Sequence, residues 1–212
     1  MTWVAGSFLV LIVALAAGFA WYERSRPRSE IVALVATLAG LAAIGRVAFA
    51  ALPNVKPTTD VVVLSGFALG GAPGFAVGAV AALASNVVFG QGPWTPWQMA
   101  AWGLCGLAGA GLRRVMRGRV HRVRLAVACG LLGLLYGAIL DFSTWVVGTD
   151  HGLAAYLAVS GTSLPFNVAH AVGNVVFCLA FGPGFATALL RFRDRLDARW
   201  VGGNREPGGI PA

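Results

Sequence analysis

Charge is scarce in this chain. Only 11% of its residues are Asp, Glu, Lys or Arg, against about a quarter in soluble globular domains. Together with 58% hydrophobic residues, that scarcity excludes an ordinary soluble domain. Alternating polar and apolar runs of about ten residues are lacking, which excludes a membrane β-barrel. There is no Walker motif, no GxGxxG following a strand and no HExxH, so ATP hydrolysis and metalloprotease chemistry lack their usual residues. Ser143 and Ser160, with His151 and His170 as possible bases, have no glycine-flanked serine motif around them. No enzyme and no cofactor are expected. Cysteine is sparse as well. Cys105, Cys129 and Cys178 lie inside apolar stretches without CxxC spacing; they read as small hydrophobes, and no metal site is expected. Positive charge ahead of the first apolar stretch is also missing. Residues 3–22 therefore read as an uncleaved helix rather than a secretory signal.

What is present is a series of long apolar stretches, from Trp3 to Leu190. They predict an all-α, polytopic membrane protein. The net charge of +8 does not point to nucleic acid, because the arginines cluster. Arg24, Arg26 and Arg28 form one group. Arg113, Arg114, Arg117, Arg119, Arg122 and Arg124 form a second, and Arg191, Arg193, Arg195 and Arg199 a third. Each abuts an apolar stretch, the pattern of cytoplasmic loops. The predicted spans are 3–22, 31–52, 96–112, 125–147 and 162–190, with 61–89 to be divided or left whole. One helix over 61–89 would be about 44 Å long, against a hydrocarbon core of about 30 Å. It would also put the second arginine group on the opposite side from the first. A turn at the "GGAP" of 70–73 gives two short spans, 61–72 and 74–89, and brings all three groups inside. The expected organisation is an N-terminal helix and basic linker (1–29), a six-helix core (30–192) and a cytosolic tail (193–212). The N-terminus is then outside and the C-terminus cytoplasmic.

Polar residues inside such spans are costly and mark functional sites by default. Arg46 and Asp141 lie about 22 and 24 Å along their helices from the inner end, so a buried ion pair between them is one expectation. In "FNVAHAVGN", Asn167, His170 and Asn174 fall at i, i+3 and i+7 and share one helical face. Their helix is expected to start just before, capped by Thr162 or Ser163, with Pro165 in its first turn. Asp141 and Trp145 share another face, and Asn86 falls near the outer end of its span. The connection "GQGPWTPWQM" (90–99) is stiff, aromatic and rich in amides. It reads either as an interfacial aromatic belt or as the lid of an outward-facing pocket. The pocket reading assigns its walls to Arg46, Asn54, Asn86, Gln91, Trp94, Trp97, Gln98, Asp141, Trp145, Asn167, His170 and Asn174. A stripe of small residues, Ala36, Ala39, Gly40 and Ala43, would let another helix approach closely.

The run "IGRVAFAALPNVKPTTDVVVLSGFALGGAPGFAVGAVAALASNVVFGQGPWTPWQMAAWGLCGLAG" resembles the first four helices of substrate-binding S components of energy-coupling factor (ECF) vitamin transporters. "LPFNVAHAVGNVVFCLAFGPGF" is similar to their last helix. The resemblance covers about residues 30–190. It implies a six-helix, vitamin-binding subunit of an ABC-type importer, with its site at the outer face. It implies as partners a transmembrane coupling subunit and two cytosolic ATPases. The docking stripe falls on Ala36, Ala39, Gly40 and Ala43, and the loop shielding the ligand on 53–58. Cobalamin is the favoured ligand, riboflavin or another heterocyclic vitamin the alternative. Trp94, Trp97, Trp145 and Tyr156 are the candidate stacking surfaces for either; Asn54, Gln91 and Gln98 would supply amide bonds. The extra helix at 3–22 departs from the family pattern. A small secondary transporter or a structural membrane subunit are the other function classes.

Overall fold

The computed structural model describes residues 3–203, and side chains over 4–198. Among these residues every regular element is a helix: α1 (Trp3–Arg24), α2 (Ser29–Ala48), α3 (Thr58–Leu69), α4 (Gly71–Phe89), α5 (Thr95–Val115), α6 (Arg122–Val147) and α7 (Leu153–Gly203). Five of them, α1, α2, α4, α6 and α7, are long and apolar enough to cross a membrane. The fifth helix has 21 residues but carries Gln98, Arg113 and Arg114. Large apolar side chains face outward along the bundle, among them Ile44, Val87, Leu131 and Val176, a surface that water would penalise and lipid would not.

The division of 61–89 falls at Gly70. Its φ of 104° is open to glycine and strained for other residues, so α3 stops there and α4 turns back. At 12 residues, α3 is only about 18 Å long, and it is buried on all sides from Thr58 to Ala68. Its backbone touches those of α4 and α5 because the contact positions have no side chain. A Cβ on Gly66 would meet the carbonyl oxygen of Gly106 at 1.9 Å, and one on Gly106 would meet that of Gly74 at 2.2 Å. The glycine spacing of this region is thus a three-helix contact. The first helix stays at the edge, with its Gly18 against the ring of Phe75 and Leu11 and Leu15 buried beside Trp97.

The arginine groups meet at one end. Arg28 donates to the carbonyl of Leu196 and pairs with Asp197 at 2.9 Å. Arg113 and Arg193 both donate to the carbonyl of Ala68, at the C-terminal end of α3, where the helix dipole favours cations. All three groups therefore lie on one face of the bundle, as the divided 61–89 segment requires.

The last helix departs from expectation. It has 51 residues, with Pro165 and Pro183 inside it, and is about 76 Å long at 1.5 Å per residue. The segment 153–161, expected as loop, forms roughly its first two and a half turns. Pro165 is an interior residue, and Thr162 and Ser163 cap nothing: their hydroxyls bond back to the carbonyls of Ala158, Val159 and Ser160. Such back-bonding and internal proline are tolerated in apolar helices. At the other end α7 continues through 193–203, so that part of the expected tail is helical; 204–212 lies outside the described residues.

Candidate functional site

At the end of the bundle opposite the arginines, a cavity of about 320 Å³ lies among α2, α4, α5, α6, α7 and the 49–57 connection. Its lining contains Arg46, Asn54, Gln98, Asn167 and His170 from the anticipated set, and adds Lys56, Phe89, Trp102, Tyr136, Gly137 and Leu140. Residues from five helices and one loop thus converge on it.

Arg46 does not pair with Asp141. Its Nη1 donates to Ser85 Oγ at 2.7 Å and to Asn86 Oδ1 at 2.6 Å, while its guanidinium lies 4.6 Å from the Phe89 ring centroid and 5.1 Å from that of Trp102. Asn86 is fully buried behind it. The Asn86 Nδ2 donates to Gln98 Oε1 at 2.7 Å and to Thr95 Oγ1 at 3.0 Å. Thr95 in turn donates to Gln91 Oε1 and accepts the backbone N–H of Gly92. The stiff 90–99 stretch is therefore an anchor. Its amides and hydroxyl hold Asn86, and Asn86 holds Arg46. Asp141 instead accepts from Asn167 Nδ2 at 2.9 Å. The reason is helical register: Asn167 packs directly over Gly137, where a Cβ would lie 2.3 Å from its Oδ1, one turn before Asp141.

Two threads fix the rest of the wall. The Trp102 Nε1–H can only donate, and it reaches Thr59 Oγ1 at 3.1 Å. The Thr59 hydroxyl proton then goes to His170 Nε2 at 3.0 Å, so His170 Nδ1 carries the proton it gives to the Asn54 carbonyl at 2.8 Å. His170 is thereby assigned as the neutral Nδ1–H tautomer with both nitrogens satisfied, and it offers the cavity a ring rather than a hydrogen bond. Tyr136 stacks on Trp102 at 4.5 Å between centroids and tilts towards His170. The 49–57 connection is pinned by Asn54, whose φ of 56° suits asparagine and whose Nδ2 donates to the Phe166 carbonyl. Lys56 donates to the carbonyls of Phe49 and Leu52, where α2 ends. Burial, and then the charge of Arg46, push its ammonium below the ordinary lysine value.

The cavity thus has two cations, four aromatic rings and three amides, and no carboxylate among its lining residues. That set suits a compact molecule with a flat ring and an anionic group: arginine and lysine take the charge and the rings take the face.

Several anticipated wall residues lie elsewhere. Asn86 and Asp141 stand behind the lining. Trp94 is exposed and Gln91 bonds the Leu83 carbonyl. Trp97 faces α1, in an apolar cleft it shares with Leu11, Phe75 and Phe142; as Gln98's immediate neighbour, about 100° round the helix, it cannot share Gln98's face. Trp145 packs against His151 and Tyr156. Asn174 is buried one turn below His170, without a hydrogen-bond partner. The small-residue stripe divides: Ala39 and Ala43 are buried within the chain, while Ala36 is exposed and Gly40 has nothing within 4 Å of an added Cβ.

The model of DUF6580, described as a family of unknown function, matches residues 25–196, and the chain belongs to that family. No curated protein and no solved structure matches.

Proposed function

We propose that this member of DUF6580 is a membrane-embedded solute-binding subunit, of the kind the S components of ECF importers represent. It captures a small anionic, ring-containing nutrient at the outer face of a cell membrane. The observation that carries this reading is the cavity: Arg46 and Lys56 at its wall, Phe89, Trp102, Tyr136 and His170 around it, and its place at the end opposite the arginines. By the positive-inside rule that end is external. A volume of about 320 Å³ is near the lower limit of small-molecule pockets, about 300–1,000 Å³. It favours a one- or two-ring heterocyclic vitamin bearing a carboxylate or phosphate over a corrin, which is far larger. A secondary transporter would want an ion-coupling carboxylate at the site; Asp141 turns to Asn167 instead.

In this reading a coupling subunit with two cytosolic ATPases supplies the energy. It docks on the outer, still exposed half of the small-residue stripe, around Ala36 and Gly40. The test is binding by the purified full chain, followed through tryptophan fluorescence, across a panel of heterocyclic vitamins with and without an acidic group. Saturable binding confined to acidic members and lost in Arg46→Gln is expected; preference for neutral members, or for cobalamin, refutes the ligand class. Orientation is checked with an impermeant thiol reagent on intact cells: Asp150→Cys should react and Arg119→Cys should not. The reverse pattern turns the molecule over.

A further inference from the structure

One cluster in the core is used by nothing described so far. Asp60 of α3, Cys129 of α6 and Cys178 of α7 place a carboxylate oxygen and two sulfurs within 4.8 Å of one another. All three residues are buried. Neither oxygen of Asp60 has a hydrogen-bond partner, and neither polar atom of Asn174 has one. Asn174 is one turn from Cys178 on α7 and abuts Gly133, one turn from Cys129 on α6. Buried carboxylates and amides are nearly always partnered, and an orphaned set asks for an ion or a water. A weak bond from the Cys129 thiol, or a protonated Asp60 donating to one sulfur, would satisfy one oxygen and leave the other, and the Asn174 amide, unanswered.

We infer that Asp60, Cys129 and Cys178 form a buried binding site for a divalent cation of the zinc type. The unpartnered Asn174 amide is available for the fourth position. Two thiolates with oxygen donors suit Zn²⁺, which takes sulfur at about 2.3 Å and oxygen at about 2.0–2.2 Å in tetrahedral geometry. The donor atoms, all within 4.8 Å of one another, need to close by no more than about 1.3 Å to the roughly 3.5–3.8 Å that such bond lengths imply. Binding releases the two thiol protons and leaves one net negative charge. Asp60 lies in the first turn of α3, where the helix dipole offsets part of that charge. The ligands come from three helices and are far apart in sequence, so no spacing motif announces them. The ion would tie α3 to α6 and α7 directly beneath the cavity, since Thr59, next to Asp60, carries the bonds to Trp102 and His170. The site does not depend on what the cavity holds.

The test is the metal content of the detergent-purified full chain from cells grown with added zinc, together with a Co²⁺ titration of protein stripped by a chelator. One zinc per chain and a thiolate-to-cobalt charge-transfer band in the near ultraviolet are expected. The band should vanish in Cys129→Ser and Cys178→Ser, weaken in Asp60→Asn and persist in Cys105→Ser, the third buried cysteine. Wild-type protein with neither zinc nor a cobalt band overturns the inference without reference to any variant. So does a band that survives in the Cys129→Ser/Cys178→Ser double variant.

Discussion

Replacing Asn86 with aspartate changes one atom and one charge at the centre of the site. Asn86 holds Arg46 through its Oδ1 at 2.6 Å and Gln98 and Thr95 through its Nδ2. Alanine there would strip all three bonds. With one charge-assisted bond and two neutral ones, that costs about 2–5 kcal/mol, allowing for the smaller values found in membrane helices, and risks unfolding. Aspartate is different. Gln98 can rotate its amide to donate, and Thr95 can turn its one hydroxyl proton from Gln91 to the new oxygen; the bond to Gln91 lost in this way is offset by the carboxylate that Arg46 gains. The fold should hold, with an unchanged melting temperature. The cavity, however, loses one net positive charge. A ligand anion on the far side of the guanidinium would be about 8 Å from the new carboxylate, an interaction of about 2 kcal/mol at an effective dielectric near 20. That is about 30-fold in affinity. Titration calorimetry of the purified Asn86→Asp chain measures it. Affinity within about twofold of wild type, with stability retained, refutes the claim that the ligand is bound as an anion next to Arg46.

Gly106→Ala should fail to fold or melt far lower, because its Cβ would fall 2.2 Å from the Gly74 carbonyl, whereas Gly111→Ala, with nothing within 4 Å, should melt as wild type. Gly40→Leu should abolish uptake in cells while leaving affinity and melting temperature unchanged; Ala39→Leu, at a position 1% exposed, should lower stability instead by about 1–3 kcal/mol through overpacking. Ligand affinity should fall on the alkaline side. Lys56 has its pKa lowered, by burial first and then by Arg46, so its charge is present below that pKa and is lost at a lower pH than for an ordinary lysine. Lys56→Gln should remove that limb of the pH profile.

The break between α3 and α4 was legible because two independent signals agreed: the glycine pair before Pro73, and the need to put every arginine group on one side. The polar face of α7 was legible too, and two of its three members, Asn167 and His170, reach the cavity. The start of α7 was not legible. Gly161 and Pro165 carry loop and first-turn signals, yet both lie inside α7, as apolar helices tolerate. The aromatic lining was missed for another reason. Tyr136 lies on a helix apolar nearly all round, and Trp102 in the apolar middle stretch of α5, so periodicity does not distinguish a cavity wall from a lipid-facing one. One signal was available: Trp102 is four residues after Gln98 and shares its face, while Trp97 does not. Lys56 was hidden in a proline-bounded loop whose fold follows from Asn54, a left-handed residue that sequence alone does not announce.

Under the proposed function, the cavity beside Arg46 and Lys56 holds a small, anionic, ring-containing nutrient. The most direct test is mass spectrometry, with absorbance, of what co-purifies with the full chain expressed in rich medium, set against Arg46→Gln prepared alongside. One acidic heterocyclic compound per wild-type chain is expected, and its loss from the variant. A neutral compound, a corrin, or a ligand retained equally by both proteins would contradict it.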